Sequence, residues 1–484
     1  MTVPIPPPSS QGASGRNRAA LWSGVGLAVA LAAGGTLFFR AGRATSHDGH
    51  EAGEHAHADE PSKAPRAAKP AASMEVLRHT DRAARAAATG DLKKARESLG
   101  EALMLAPQHA PALLVHACLA LEEGNDAEVT TVLGQLKAVE PGSLEVKLLE
   151  TLRELRRAPG VSWQQGFREA WVKLGRPDFR KSELLPGATP LPPDPTLSDW
   201  EKAAWEKAPS DDVKLRLALS TRRLDTDKAL FLLAQVPRLE NPDLYLAVRD
   251  ALRGESLPES EHERARKTFR EKLEALAKAH PNAMQLQLLL LLGDTEAGTE
   301  LTAAEIDALE RVAALPVWRE TSFRDGYVVT RQLLKEAGVP DVSALSMAVA
   351  LRGINERGTW ILRTRNVATR GALSEEGRKR LGRITRDIGA SMVKQNTMVE
   401  RMTGLQLVRG GATDLGDDAG RTLALNQIQA LEQTIAQFQQ TAMERWPLNS
   451  LTEELMEEST RDELRYLQAF AAAAPTGTAA RAAP

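Results

Sequence analysis

Gly90-Asp-Leu-Lys-Lys-Ala-Arg-Glu-Ser-Leu-Gly-Glu-Ala-Leu-Met-Leu-Ala-Pro107 and Gly124-Asn-Asp-Ala-Glu-Val-Thr-Thr-Val-Leu-Gly-Gln-Leu-Lys-Ala-Val-Glu-Pro141 are one pattern written twice, 34 residues apart. Gly-Asp returns as Gly-Asn and Pro as Pro. Ala95, Leu99, Ala102 and Leu105 are answered by Val129, Leu133, Leu136 and Val139. Apolar residues three and four apart line one face of a helix, and a fixed period of this length marks stacked helix–turn–helix units. Glycine supplies the turn and the acid or amide beside it caps the next helix. Proline ends that helix, because it has no N–H for the ladder. The pattern predicts an all-α fold that holds another macromolecule, since stacked units present extended surfaces to partners.

Over about residues 76–143 the unit resembles the tetratricopeptide repeat. Small Ala95 and Ala102 let paired helices approach closely, although the bulky residue the family carries early in its first helix is missing from the first unit. A third unit starts at Leu144 and holds through Arg157, where Pro159-Gly160 displaces the turn. Trp163, Phe167 and Trp171 then share a helix face, as in a degenerate repeat or capping helix. The resemblance implies a partner-binding groove lined by Leu77, Thr80, Ala84 and Ala87 of the first unit and Leu114, Cys118, Leu121 and Glu122 of the second. Repeats that grip carboxylates use Lys, Asn and Arg in such places, and here Ala84 and Cys118 replace the amides. An apolar groove suits an amphipathic or apolar segment of a protein partner.

Composition narrows the remainder. With 62 basic and 64 acidic residues the chain has a formal charge of −2, which gives no electrostatic footprint for nucleic acid. One cysteine, Cys118, excludes an internal disulfide framework. From Ala19 to Phe39 the chain runs 21 residues without a charge, and at about 1.5 Å per residue that length crosses a bilayer core. Arg16 and Arg18 close one end, Arg40 and Arg43 the other, with Trp22, Phe38 and Phe39 where interfacial aromatics sit. A cleaved signal peptide would stop sooner. The run predicts a single-pass transmembrane helix over 19–39 in a bacterial inner membrane. The N-terminal tail, with no acid and an added α-amine, lies on the cytoplasmic side, and the bulk of the chain is periplasmic.

The organisation expected is a disordered cytoplasmic tail over 1–18, the span 19–39, and a flexible His/acidic/Pro tether over 40–73. A repeat domain over 74–185 and a Pro-rich linker over 186–198 follow. Residues 199–372 form a helical domain of possible degenerate repeats, 373–472 a C-terminal helical bundle, and 473–484 a disordered tail. In the bundle, Leu381, Ile384, Ile388 and Met392 form one stripe. Ala424, Ile428, Leu431, Ile435, Phe438 and Ala442 form a heptad seam. That seam over 424–442 serves either the bundle itself or a homodimer. Ser450-Leu-Thr-Glu453 reads as a capping box opening another helix.

Chemistry is sparse. His47, His50, His55 and His57 stand among acids in the tether and are weak candidates for zinc, copper or nickel. His50 and His55 are five apart with Gly53 between, so they cannot share the helix face a metalloprotease requires. Gly411 to Gly416 mimics a phosphate loop, but Asp417-Asp418 occupy the Lys-Ser/Thr positions, so it reads as a turn between helices. No catalytic constellation appears and no cofactor is called for. The reading is a membrane-anchored scaffold or assembly protein binding a protein partner in the cell envelope, similar in layout to anchored bacterial repeat proteins. The alternative is an accessory factor of metal or cytochrome c biogenesis that uses the histidine tether, similar in layout to the repeat subunit of cytochrome c maturation.

Overall fold

The computed structural model describes residues 72–188, 195–221, 224–253, 257–339, 341–354 and 357–472. Their regular structure is helical, and the one β feature among them is an isolated parallel bridge between Ala283 and Val317. Contacts divide the chain into two compact units. The N-terminal unit extends to Ser198 and takes in Glu444–Leu451 as well, while the C-terminal unit holds Asp199–Met443 and the chain from Thr452 onward.

The N-terminal unit is a run of helices: α1 (Met74–Ala88), α2 (Leu92–Leu105), α3 (Ala110–Glu122), α4 (Asp126–Val139), α5 (Leu144–Arg156) and α6 (Trp163–Lys173). The 34-residue echo is visible bond by bond. Gly90 and Gly124 turn with φ of +80° and +71°, where a side chain would be strained. Asp91 N–H donates to Ala86 O and Asn125 N–H to Ala120 O, both at 2.9 Å. Asp91 and Asn125 then cap α2 and α4 by accepting from Lys94 N and Glu128 N. The helices end one residue before Ala106 and Glu140, each followed by its proline. Helices pair in sequence, and α1, α3 and α5 also meet one another in succession. Ala83, Ala87, Ala95, Leu99, Ala102 and Leu119 form the core of the first pairs.

The C-terminal unit comprises α7 (Pro195–Glu206), α8 (Asp211–Ser220), α9 (Thr226–Gln235), α10 (Pro242–Ala251), α11 (Glu259–Ala279), α12 (Met284–Leu292), α13 (Ala303–Ala313), α14 (Phe323–Glu336), α15 (Val342–Arg352), α16 (Arg357–Thr369), α17 (Glu375–Val393), α18 (Met398–Leu415), α19 (Asp418–Gln439), α20 (Asn449–Arg461) and α21 (Glu463–Ala472). The division between units cuts α7 before Asp199 and α20 after Leu451. Helices α8, α10, α14 and α15 pack together, as do α17, α18 and α19. The stripe Leu381, Ile384, Ile388 and Met392 faces a core shared with α12, α13 and α16.

Three expectations are corrected. Gly411 to Leu415 is helix rather than turn, with only Gly416 left-handed at the end of α18. Gly411 is small because α17 lies against it: a Cβ there would fall 2.5 Å from Gly382 O. Gly389 and Gly404 meet in the same way, a Cβ on Gly389 falling 2.6 Å from Gly404 O, so glycines seven residues apart on each helix set the spacing of this hairpin. Ser450 lies inside α20 rather than at its cap; its hydroxyl goes to Glu122, and Glu453 goes to Ser343 and Arg331.

The third correction concerns the transmembrane architecture and the inner-membrane location. Among the described residues no helix is long and apolar enough to cross a membrane. The two longest, α11 and α19 with 21 and 22 residues, are amphipathic and polar on one side, and α11 carries charges throughout. The 19–39 run on which that expectation stood lies outside the described residues, as do 1–18, the tether through Ala71, and 473–484.

Candidate functional site

The eight groove positions fall on α1 and α3. Thr80, Ala84, Ala87, Leu114, Cys118 and Leu121 are buried, while Leu77 and Glu122 are half-buried. Thr80 returns its hydroxyl to Val76 O at 2.8 Å, the habit of a threonine inside a helix. Burial pushes the Cys118 thiol far above its ordinary range, which makes it an inert core residue. Glu122 stands apart, because its Oε1 accepts from both the backbone N–H (3.0 Å) and the hydroxyl of Ser450.

Ser450 belongs to a segment that returns from far along the chain, Glu444-Arg-Trp-Pro-Leu-Asn-Ser-Leu451. Trp446 is 1% exposed and meets Phe167 and Phe179 edge-on, at centroid distances of 5.6 and 5.3 Å. The Arg445 guanidinium donates to five backbone carbonyls, those of Phe179, Arg180, Ser182, Leu185 and Pro186, at 2.8–3.3 Å. Gln164 Nε2 donates to Leu451 O at 2.6 Å, and Asn449 lies against Gly90. Leu448 and Leu451 are fully buried. Pro447 separates the short 3-10 turn Met443–Arg445 from α20, which opens at Asn449. A peptide held this way is recognised by one cation, one indole and its own backbone.

Ion pairs tie the repeats together outside this seat. Arg96 of α2 reaches Glu123 and Glu128, and His116 Nε2 lies 2.6 Å from Glu128 Oε1. Arg96 and then His116 hold the Glu128 carboxyl down at about 2. Arg153 and Arg157 do the same to Asp126, also about 2.

The C-terminal unit carries a different feature, a cavity of about 80 Å³ enclosed by α8, α10, α14 and α15. Its polar lining includes Arg216, Asp243, Arg319, Thr321 and Asp325. Thr321 Oγ1 donates to Asp243 Oδ2 at 2.6 Å. Arg319, whose side chain is 5% exposed, has Nε 3.4 Å from Glu400 Oε1, and Glu400 is wholly buried. Thr397 Oγ1 donates to the other Glu400 oxygen at 2.7 Å. Burial pushes the carboxyls of Asp243 and Glu400 upward against the pull of Arg319. Behind them Glu463 accepts from Met398 N at 2.7 Å, and burial lifts it to about 7.

Sequence reasoning named Glu122 but neither the 444–451 segment nor the cavity. A Trp-Pro pair interrupting two helices was the signal for the first. For the second, Arg216, Asp243 and Arg319 share no spacing, and only tertiary packing assembles them. Among the described residues no three His, Cys, Asp or Glu side chains lie close enough to hold a metal ion. His47, His50, His55 and His57 lie outside the described residues. The seam residues Ala424, Ile428, Leu431, Ile435 and Phe438 are buried within the chain, Phe438 packing on Tyr466 and Phe470. No protein-family model, curated protein or solved structure matches this chain.

Proposed function

We propose that the chain is a helical scaffold whose N-terminal unit, read as a tetratricopeptide-like array, docks a peptide from a protein partner. The supporting observation is the seat that now holds residues 444–451, with an aromatic box for Trp446 and a carbonyl cradle for Arg445. The groove positions Ala84, Cys118 and Leu121 form the apolar floor of the same unit, and Glu122 binds the peptide backbone. A partner would present a basic residue followed by a bulky aromatic between a tight turn and the start of a helix. In cis the resident segment competes intramolecularly, so a partner must outdo it by affinity or by number of contacts.

The test is a titration of a synthetic peptide of residues 441–452 onto the full chain carrying Arg445→Ala and Trp446→Ala. The expected result is saturable one-site binding, at least about tenfold weaker on the wild-type chain, whose seat is filled. No binding to a folded double variant would overturn the reading.

A further inference from the structure

The cavity of the C-terminal unit sets charged groups among apolar ones such as Leu244, Phe323 and Val349. Two guanidinium groups line it, and both are more than nine-tenths buried: the Arg216 side chain is 8% exposed and that of Arg319 is 5%. Neither is fully satisfied by the protein, although Arg216 Nη1 donates to Asp212 O at 3.0 Å. Each Nε lacks a hydrogen-bond partner, and their ion contacts are long, 3.5 Å from Arg216 to Asp212 and 3.4 Å from Arg319 to Glu400. Taking a guanidinium out of water costs several kcal/mol, and these contacts offset little of it. Both arginines face one space. That space also lies at the starts of α10 and α14, whose positive dipole ends add to the attraction for an anion.

The same lining holds carboxylates. Asp325 is spent on its capping box with Ser322, but Thr321 occupies only one oxygen of Asp243. About 80 Å³ is several times what one water needs, and far less than a nucleotide fills. A bare polyanion such as phosphate would meet Asp243 and Asp325 as like charges. A small acid with a hydrogen-bond donor beside its carboxylate meets complementary groups of both kinds in this lining.

We propose that this cavity binds a small α-hydroxy or α-amino acid, its carboxylate held by Arg216 and Arg319 and its α-substituent donating to Asp243. The site is independent of peptide docking by the N-terminal unit.

Calorimetry on the full chain at neutral pH, with glycolate, glycine, acetate and inorganic phosphate as probes, tests this. Glycolate or glycine should bind to one site and roughly tenfold more tightly than acetate, which lacks the donor for Asp243. Arg216→Met should weaken binding by roughly tenfold or more, through loss of a charge-assisted pair. Asp243→Asn should narrow the preference over acetate. Val329→Phe, at the exposed edge of the cavity, should block binding without touching a charge, which covers the case of an arginine variant that fails to fold. The proposal is overturned by phosphate binding more tightly than both acids, by binding that survives Val329→Phe and Arg216→Met alike, or by no saturable heat from either acid on the wild-type chain.

Discussion

The start of α4 in the N-terminal unit and the start of α21 in the C-terminal unit handle charge in opposite ways. In the N-terminal unit Asp126 and Glu128 sit near the surface under arginines, and both titrate at about 2. At Glu463 and Asp341 of the C-terminal unit burial prevails over pairing, and they are lifted to about 7 and 8. Three buried guanidinium groups show a similar contrast. Arg445 satisfies its donors on five carbonyls, whereas Arg216 and Arg319 keep unpartnered nitrogens beside a cavity. A buried charge that the fold completes serves the fold, and one left incomplete is available to a ligand.

The hardest test of that comparison is Trp446→Ala. If the segment completes the N-terminal unit, the change should lower its stability by about 3–5 kcal/mol, read by denaturant unfolding. A loss near zero would make the segment a passenger.

Titration should separate the units next. Asp126 and Glu128 bind fewer protons folded than unfolded at acid pH, so the N-terminal unit loses stability as pH falls from about 4 towards 2. Glu463 is the reverse. Its folded value lies above the ordinary 4.5, so its contribution declines as pH rises through 4.5 to 7, by about 3 kcal/mol across that window. Hydrogen exchange followed peptide by peptide against pH should show opposite slopes for the peptides that span Asp126–Glu128 and Glu463. Parallel slopes would break the comparison.

The arginines give a smaller contrast. Arg445→Met strands five carbonyls and should cost about 2 kcal/mol. Arg216→Met leaves only Asp212, which is largely exposed, and should change stability by less than about 1 kcal/mol. Thermal melts of the two variants decide it, and equal losses would remove the distinction between completed and incomplete charge.

Helix spacing yields the smallest effects. Gly100 and Gly134 occupy equivalent helical positions 34 residues apart, and a Cβ on either meets nothing within 4 Å. Alanine at either should stabilise by about 0.5–1 kcal/mol. Gly389→Ala, with Gly404 O in the way, should instead destabilise by about 1–3 kcal/mol. Chemical denaturation of the three single variants gives the signs.

Legibility followed the range of the interactions. The 34-residue echo, its turns and its proline stops are local, so their phase could be read from Gly90, Asp91, Gly124 and Asn125 alone. The stripe of α17 and the seam of α19 were equally plain, because periodicity reports burial directly. Helix α18 was obscured because Gly404, Gly410 and Gly411 look like breakers, and only a neighbouring helix gives two of them a packing purpose. The groove positions followed from resemblance, but a sequence cannot show that residues 444–451 come to lie on the same unit. Arg216, Asp243 and Arg319 are brought together by four helices and leave no pattern at all. The membrane reading came from composition over 19–39, and no helix among the described residues supports it.

The returning segment also sets an order of events. Gln164 waits for Leu451, 287 residues further on, and the Trp446 box of Phe167 and Phe179 waits as long. Contacts of such separation form late, whereas the α17–α18 hairpin closes over a short loop. At synthesis rates of about 5–20 residues per second, the ribosome delivers the missing piece tens of seconds after α6 has emerged. For that interval the nascent N-terminal unit presents an unfilled aromatic box and a set of unclaimed carbonyls, and a helper that shields them would raise the yield of finished protein.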